Sequence, residues 1–71
     1  MNTFYYVYIL ESISNPGNFH TGYTGNIEDR LIKHNKGGCP HTVKLRPWQL
    51  KNYFAFDSKA KAVKFVNAVK K

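Results

Sequence analysis

The sequence predicts an α+β fold in which a three-stranded antiparallel sheet is flanked by helices, in the order β-β-α-β-α. Three observations lead to this prediction. The chain has 71 residues, enough for one hydrophobic core and a single domain over residues 1–71. Apolar residues run continuously or alternate in three short segments, and they recur at helical spacing in two others. Clusters of Gly, Pro and Asn separate several of these segments.

The first two segments predict an antiparallel hairpin. Residues 4–10 read FYYVYIL, an unbroken apolar stretch typical of a strand that is covered on both faces, so we place it at the sheet centre. Asn15, Pro16 and Gly17 form a turn cluster after it. The turn leads into a second strand at residues 19–23.

A helix is predicted at residues 27–35. Asn26 is a suitable N-cap, and Glu28 and Asp29 put carboxylates in the first turn, where the helix dipole favours them. Gly37 and the glycine after it provide a stop. Residues 39–47 are then expected to form a loop.

A third strand and a last helix complete the prediction. Residues 48–56 alternate with a period of two, which predicts a strand with Lys51 on its exposed side. The apolar side of that strand comprises Trp48, Leu50, Phe54 and Phe56. Ser58 is a candidate N-cap for a helix at residues 59–70. The apolar stripe of that helix comprises Ala62, Val63, Val66 and Val69.

The charge of the chain indicates a polyanionic partner. Eleven Lys and Arg against four Asp and Glu give a formal net charge of +7. Nucleic acid is the expected partner, because phosphates bind basic surfaces through counterion release. The alternative is a basic surface that serves only solubility.

Composition also bears on location. The single cysteine, Cys39, excludes an intramolecular disulfide and fits a reducing compartment. The N-terminal apolar run is too short for a signal peptide or a membrane span. We therefore expect a soluble, cytoplasmic protein that has no membrane partner.

Several motifs together resemble those of the GIY-YIG nuclease domain, particularly its small stand-alone members. The first signature reads Tyr6-Val7-Tyr8, and the second reads His20-Thr21-Gly22. Arg30 and His34 follow, four residues apart in the predicted helix. The resemblance covers nearly the whole chain. It implies hydrolysis of DNA phosphodiester bonds with a divalent metal, Mg²⁺ or Mn²⁺.

The resemblance implies a role for four residues. Tyr8 takes the place of the signature tyrosine that acts as the base; a phenol does so when nearby cations favour the phenolate. Arg30 is the candidate phosphate clamp, because a guanidinium binds two phosphate oxygens at once. His34 is placed to accept the tyrosine proton, and His20 replaces the second signature tyrosine with a group that can relay protons.

Each of these residues also has a structural alternative. Tyr8 is one of five tyrosines and could be buried only for its apolar area. Arg30 could be solvated or paired within its own helix, and His34 could interact only with the helix dipole. Gly22, which shares a face with His20, leaves room for a substrate or for a neighbouring strand.

The carboxylate that holds the metal in the resembling family falls on Val66, which cannot bind a cation. No acid follows Ser58 in the chain. Glu11 is not a substitute, because alternation along the first strand points it away from Tyr8. The residues alone therefore assign no metal ligand. Valine at this position is expected to contribute to the core.

Two hypotheses remain open at this point, and a third is weaker. The first is a metal-dependent endonuclease that uses Tyr8, His20, Arg30 and His34. The second is a catalytically inactive nucleic-acid-binding module, which holds phosphates with Arg30 and four other basic residues: Lys33, Lys36, Lys44 and Arg46. The third is a zinc site of His34, Cys39 and His41, with or without His20, whose spacing fits no common zinc pattern. A protein partner is a further possible source of specificity.

Overall fold

The structure is a computed structural model and describes residues 4–38, 40 and 42–69. Its strands are β1 (Tyr5–Ser12), β2 (Phe19–Thr24) and β3 (Trp48–Phe56), and its helices are α1 (Ile27–Asn35) and α2 (Lys59–Val69). A short 3₁₀ turn, Val43–Leu45, lies within the predicted loop. The α+β class and the order β-β-α-β-α are confirmed. Neither α-helix in the described ranges is long and apolar enough to cross a membrane.

The sheet order is β2-β1-β3, and both neighbours of β1 run antiparallel to it. The predicted central position of β1 is therefore confirmed. The strand ends at Ser12, two residues later than predicted. Glu11 and Ser12 belong to the strand because they pair with Gln49 and Trp48 of β3. The buried Ser12 hydroxyl also donates to Leu45 O at 2.6 Å and accepts from Asn15 N at 3.0 Å.

Side chains of β1 alternate between two hydrophobic clusters, one on each face of the sheet. Tyr8 and Leu10 belong to the cluster that includes Ile27 and Leu31 of α1. Val7 belongs to the other cluster, which includes Ala62, Val66 and Phe65 of α2. The two helices therefore cover opposite faces, and α1 covers the face that carries Tyr8.

The predicted single apolar face of β3 is wrong, because the strand contains a bulge. Ile9 pairs with Asn52, but the next residue, Leu10, pairs with Leu50. Lys51 is therefore the extra residue, and an extra residue reverses the side of every side chain that follows it.

The two halves of β3 therefore direct their apolar side chains to opposite faces of the sheet. Trp48 and Leu50 pack in the cluster of Tyr8. Phe54 and Phe56 instead pack against Phe65 of α2 in tilted ring pairs, with centroids 4.9 and 5.3 Å from that of Phe65.

Both helices begin where the sequence places them. Asn26 Oδ1 accepts a hydrogen bond from Asp29 N at 3.1 Å and caps α1. Ser58 Oγ lies 3.5 Å from Lys61 N at the start of α2. The last residue predicted for α2, at position 70, lies outside the described residues.

Candidate active site

The hydroxyl of Tyr8 is the centre of a buried polar cluster. It lies 3.1 Å from Nε2 of His34 and 3.4 Å from Nε of Arg30. The central strand delivers the phenol, and Arg30 and His34 meet it because residues four apart share one face of α1. Tyr8 and His34 are 2% and 1% exposed, whereas Arg30 is partly exposed. The structure thus brings together three of the four side chains that were predicted to be catalytic.

Donor and acceptor chemistry fixes the direction of one of these hydrogen bonds. A guanidinium has no acceptor, so Arg30 donates to the phenol oxygen. The direction of the hydrogen bond between the Tyr8 hydroxyl and Nε2 of His34 depends on the histidine tautomer. When the histidine proton is on Nδ1, which lies 2.8 Å from Thr42 Oγ1, Nε2 accepts from the phenol. In that tautomer the phenolic proton points at a nitrogen that can receive it.

Thr42 forms a second layer that the sequence did not reveal. It is 1% exposed, and its carbonyl accepts a hydrogen bond of 2.9 Å from Nε1 of Trp48. Its hydroxyl holds His34 from the side opposite Tyr8. A threonine in a loop carries no pattern of its own, so only the folded chain shows this contact.

His20 lies at the side of the same cluster. Its ring centroid is 4.8 Å from that of His34 and 6.2 Å from that of Tyr8. Its position on β2, opposite Leu10, aims it at the face that α1 covers. His20 is only partly buried, so His20 and Arg30 form the outer part of the site.

Gly22 makes the position of the phenol possible. It pairs with Tyr8 across the sheet, and a Cβ at this position would lie 2.5 Å from the Tyr8 oxygen. The room left by the missing side chain is filled by Tyr8 itself. Of the two uses expected for this glycine, the structure therefore shows contact with the neighbouring strand.

Burial lowers the pKa of His34 from its usual value, and the charges of Arg30 and Lys33 lower it further. Removing the imidazolium from water is the larger cause, because a buried charge loses its hydration. Folding therefore favours the neutral form of His34, in which one ring nitrogen is a hydrogen-bond acceptor.

This lowered pKa predicts that acid destabilises the protein through His34. Below a pH of about 6.5 the unfolded chain binds a proton on this residue that the folded protein does not. The free energy of unfolding therefore decreases as the pH is lowered. The slope from one such group is at most about 1.4 kcal/mol per pH unit. Urea unfolding between pH 7.5 and 5.5 measures it. A His34→Gln variant should lose part of this slope; an unchanged slope would contradict the assignment.

The four predicted phosphate-binding residues lie around the end of α1 and the following turn, and all four are exposed: Lys33, Lys36, Lys44 and Arg46. A Cβ added to Gly37 would lie 2.5 Å from a guanidinium nitrogen of Arg46. One added to Gly38 would lie 2.9 Å from the Lys33 side chain. At least Arg46 and Lys33 thus lie beside the C-terminus of the helix that carries Arg30.

The zinc hypothesis receives no support from the described residues. Cys39 and His41 lie outside them. Both ring nitrogens of His34 already have hydrogen-bond partners, Tyr8 and Thr42. Within residues 4–38, 40 and 42–69, no group of three His, Cys, Asp or Glu side chains is placed to hold a metal ion.

Comparison with known proteins decides the family. A model of the GIY-YIG catalytic domain matches residues 4–71. The chain belongs to the GIY-YIG family. The matched range includes Tyr8, His20, Arg30 and His34. A GIY-YIG domain is a nuclease-type fold.

Small GIY-YIG proteins are among its relatives. A UPF0213 protein of Staphylococcus saprophyticus is 43% identical over 61 residues, which are 84% of this chain and 72% of that protein. One from Haloquadratum walsbyi is 35% identical over 71 residues, or 99% of this chain and 78% of the relative. The solution NMR structure of a UPF0213 protein from Bacillus halodurans superposes with a TM-score of 0.56 at 38% identity, covering 94% of this chain and 70% of that one.

The metal implied by the GIY-YIG resemblance does not fit the residues present. Val66, at the position of the expected carboxylate, is 3% exposed and packs with Val7 and Ala62. Val7 points to the face opposite Tyr8, so this cluster lies on the other side of the sheet.

The four acids of the chain do not make up for this loss. Glu11 binds Lys51 at 3.5 Å, and Asp57 binds Lys61 at 3.3 Å. Glu28 and Asp29 are exposed in the first turn of α1. Among the hydrogen bonds and packing contacts that the structure gives Tyr8 within the described residues, none is with a carboxylate that could bind Mg²⁺.

Proposed function

We propose that this GIY-YIG domain is an endonuclease that hydrolyses phosphodiester bonds of DNA. The observation that supports the proposal best is the Tyr8 phenol, which is bound by both the Arg30 guanidinium and the neutral His34. A tyrosine buried only for its area needs one hydrogen-bond partner. A cation on the oxygen and a proton acceptor on the hydrogen are instead what a phenol needs in order to ionise.

The proposed chemistry uses these groups in sequence. Arg30 and His20, the partly exposed groups, bind the phosphate. Tyr8 gives its proton to His34, and the resulting phenolate takes a proton from a water molecule. The water oxygen attacks phosphorus, the bond to the leaving oxygen breaks, and that oxygen takes a proton from the solvent. After product release, Tyr8 gives the proton it took from water back to the solvent and regains its own proton from His34. Arg30 keeps its Nε on the phenol and binds the phosphate with the other end of its guanidinium, so the cation stays beside the oxygen that ionises. Because Tyr8 is almost fully buried, DNA binding must open the site enough for water to reach the phenol.

A second candidate function is a DNA-binding module without catalysis. The specific observation in its favour is Val66, which contributes an apolar side chain to the core where the family has a metal ligand. In this case Arg30 and the four basic residues around the end of α1 hold phosphates, and binding weakens with salt.

Nicking of supercoiled plasmid separates the two functions. The protein is incubated with Mg²⁺, with Mn²⁺ and with a chelator, beside Arg30→Ala, Arg30→Lys and Lys59→Ala. Arg30→Ala should lower the nicking rate by about 100-fold, because the cation that holds the phosphate charge is lost. Arg30→Lys should not restore it, since an ammonium lacks the guanidinium fork. Lys59→Ala removes an exposed lysine of α2 and should have little effect.

The outcomes are distinct. Nicking that disappears with Arg30 supports the endonuclease. Salt-sensitive DNA binding without nicking under any of these conditions supports the binding module. Absence of both cutting and binding contradicts both proposals.

A further inference from the structure

A groove beside the active site has no role in the proposed chemistry. Its volume is about 470 Å³, and it lies between β1, β3 and the start of α1. Tyr6, Tyr53 and Leu50 form its sheet side, and Asn26 and Glu28 belong to its helix side. The tyrosine rings meet edge to face, with centroids 5.9 Å apart. Tyr53 is 51% exposed, so much of this large aromatic side chain faces solvent.

The charge of the groove is opposite to that of the protein. The chain carries a net +7, but Glu28 is the one charged residue among the described residues that line the groove. A carboxylate repels phosphate, so the groove is unsuited to a sugar-phosphate backbone. Aromatic and aliphatic walls with a polar rim fit a neutral, planar group that has hydrogen-bonding edges.

The position of the groove links it to the Tyr8 cluster. Tyr6 lies two residues from Tyr8 on the same face of β1, which is about 7 Å along a strand. Tyr53 pairs directly with Tyr8 across the sheet. On the helix side, Ile27 lines the groove and lies one turn before Arg30 on α1. A nucleotide next to a phosphate held by Arg30 is therefore within reach of the groove.

We propose that this groove is a nucleobase subsite, which takes one unstacked base of the DNA strand whose phosphate is bound by Arg30. The proposal rests on the proposed DNA binding and adds what the site recognises. The base stacks on Tyr53, as bases do on aromatic side chains in proteins that bind single strands. A paired base within a duplex is stacked on its neighbours and is not available to the groove.

The rim of the groove selects among bases. Asn26 uses Oδ1 as the cap of α1, so it offers its Nδ2 donor to a ligand. Glu28 offers carboxylate oxygens, which accept hydrogen bonds from exocyclic amino groups such as N4 of cytosine. A base with both an amino group and an acceptor fits this pair. The groove therefore favours cytosine over thymine, whose O4 is an acceptor facing a carboxylate.

Binding of labelled oligonucleotides tests the subsite. Fluorescence anisotropy measures the Kd for single-stranded dC12, single-stranded dT12 and a mixed-sequence 12-base-pair duplex at fixed salt. The proteins are the wild type, Tyr53→Ala, Tyr53→Leu and Glu28→Gln. Phe19→Ala is the matched control, because Phe19 is an aromatic residue that is 59% exposed outside the groove. Circular dichroism checks the fold of each variant.

The expected result is a selective loss. Tyr53→Ala should weaken binding of the single strands by roughly 5- to 100-fold and leave duplex binding about unchanged. Tyr53→Leu should lose nearly as much, because it keeps apolar area but no aromatic face. The wild type should prefer dC12 to dT12, and Glu28→Gln should reduce this preference. Phe19→Ala should bind like the wild type.

Two results overturn the proposal in different ways. Equal losses for single strands and duplex, or no loss in Tyr53→Ala, would show that DNA binds without a base in the groove, and the proposed function would stand. A wild-type protein that binds none of these DNAs would overturn the subsite together with the DNA-directed function on which it rests.

Discussion

Replacing Tyr8 by Phe is expected to abolish most plasmid nicking while DNA binding persists. The phenol is the proposed base, and general acid–base groups contribute about 10²- to 10⁴-fold to a rate, so a loss in that range is expected. Phe fills the same space in the cluster with Leu10 and Trp48. The stability cost should be about 1–3 kcal/mol, because the buried Nε2 of His34 loses its partner.

The matched control for this change is Tyr23→Phe. Tyr23 is on β2, is 38% exposed and takes no part in the proposed chemistry, so removal of its hydroxyl should leave nicking unchanged. Rates of nicking, salt-dependent DNA affinity and urea unfolding are measured for both variants. Full nicking activity in Tyr8→Phe would show that Tyr8 is not the base and that its hydroxyl has only a structural role.

Replacing Gly22 by Ala is the second change with a large expected effect. The added Cβ would lie 2.5 Å from Oη and 2.8 Å from Cζ of Tyr8. Tyr8 is almost fully buried and held by two hydrogen bonds, so it cannot turn aside without disturbing Arg30 and His34. Overpacking of this kind costs about 1–3 kcal/mol. We expect lower stability together with strongly reduced nicking, because the phenol is displaced from its partners.

Gly25→Ala provides the comparison. No heavy atom lies within 4 Å of a Cβ built on Gly25, and its φ is not in the left-handed region. This substitution should change the unfolding midpoint little. If Gly22→Ala changed neither the unfolding midpoint nor the nicking rate, the close fit of Tyr8 against β2 would be incorrect.

The order of elements could be predicted because each segment has a strong local pattern. The unbroken apolar run of β1 fixed its central place, and Asn26 marked the start of α1. The face change within β3 could not be predicted, since Lys51 is an ordinary residue for the exposed side of a strand. A bulge depends on how two strands pair, and the sequence of one strand does not contain that information.

The candidate site was predicted to a similar degree. Arg30 and His34 share a helix face, so their proximity follows from spacing alone. The joining of this face to Tyr8 was suggested by the family motifs, and their roles in catalysis remain predictions. Thr42 could not be found, because the folded loop alone brings it to His34.

The depth at which Tyr8 is buried and the groove beside it were also not predicted from the sequence. Alternation gives the side of the sheet on which Tyr8 lies, but not the depth to which α1 covers it. One signal for the groove was present, because Tyr53 falls among the polar positions of β3, with Gln49 and Lys51. A large aromatic residue on a predicted solvent side is worth testing as a ligand contact.

Because of the bulge at Lys51, β3 contributes side chains to both hydrophobic clusters, one on each face of the sheet. The two clusters can therefore change separately. Substitutions at Trp48 or Leu50 alter the hydrophobic cluster that contains Tyr8. Substitutions at Phe54 or Phe56 alter the surface on which α2 packs. Without the extra residue, the side chains of Phe54 and Phe56 would lie on the face of the sheet that α1 covers. Substitutions in α2, including those at Val66, can therefore accumulate while the opposite layer keeps its shape.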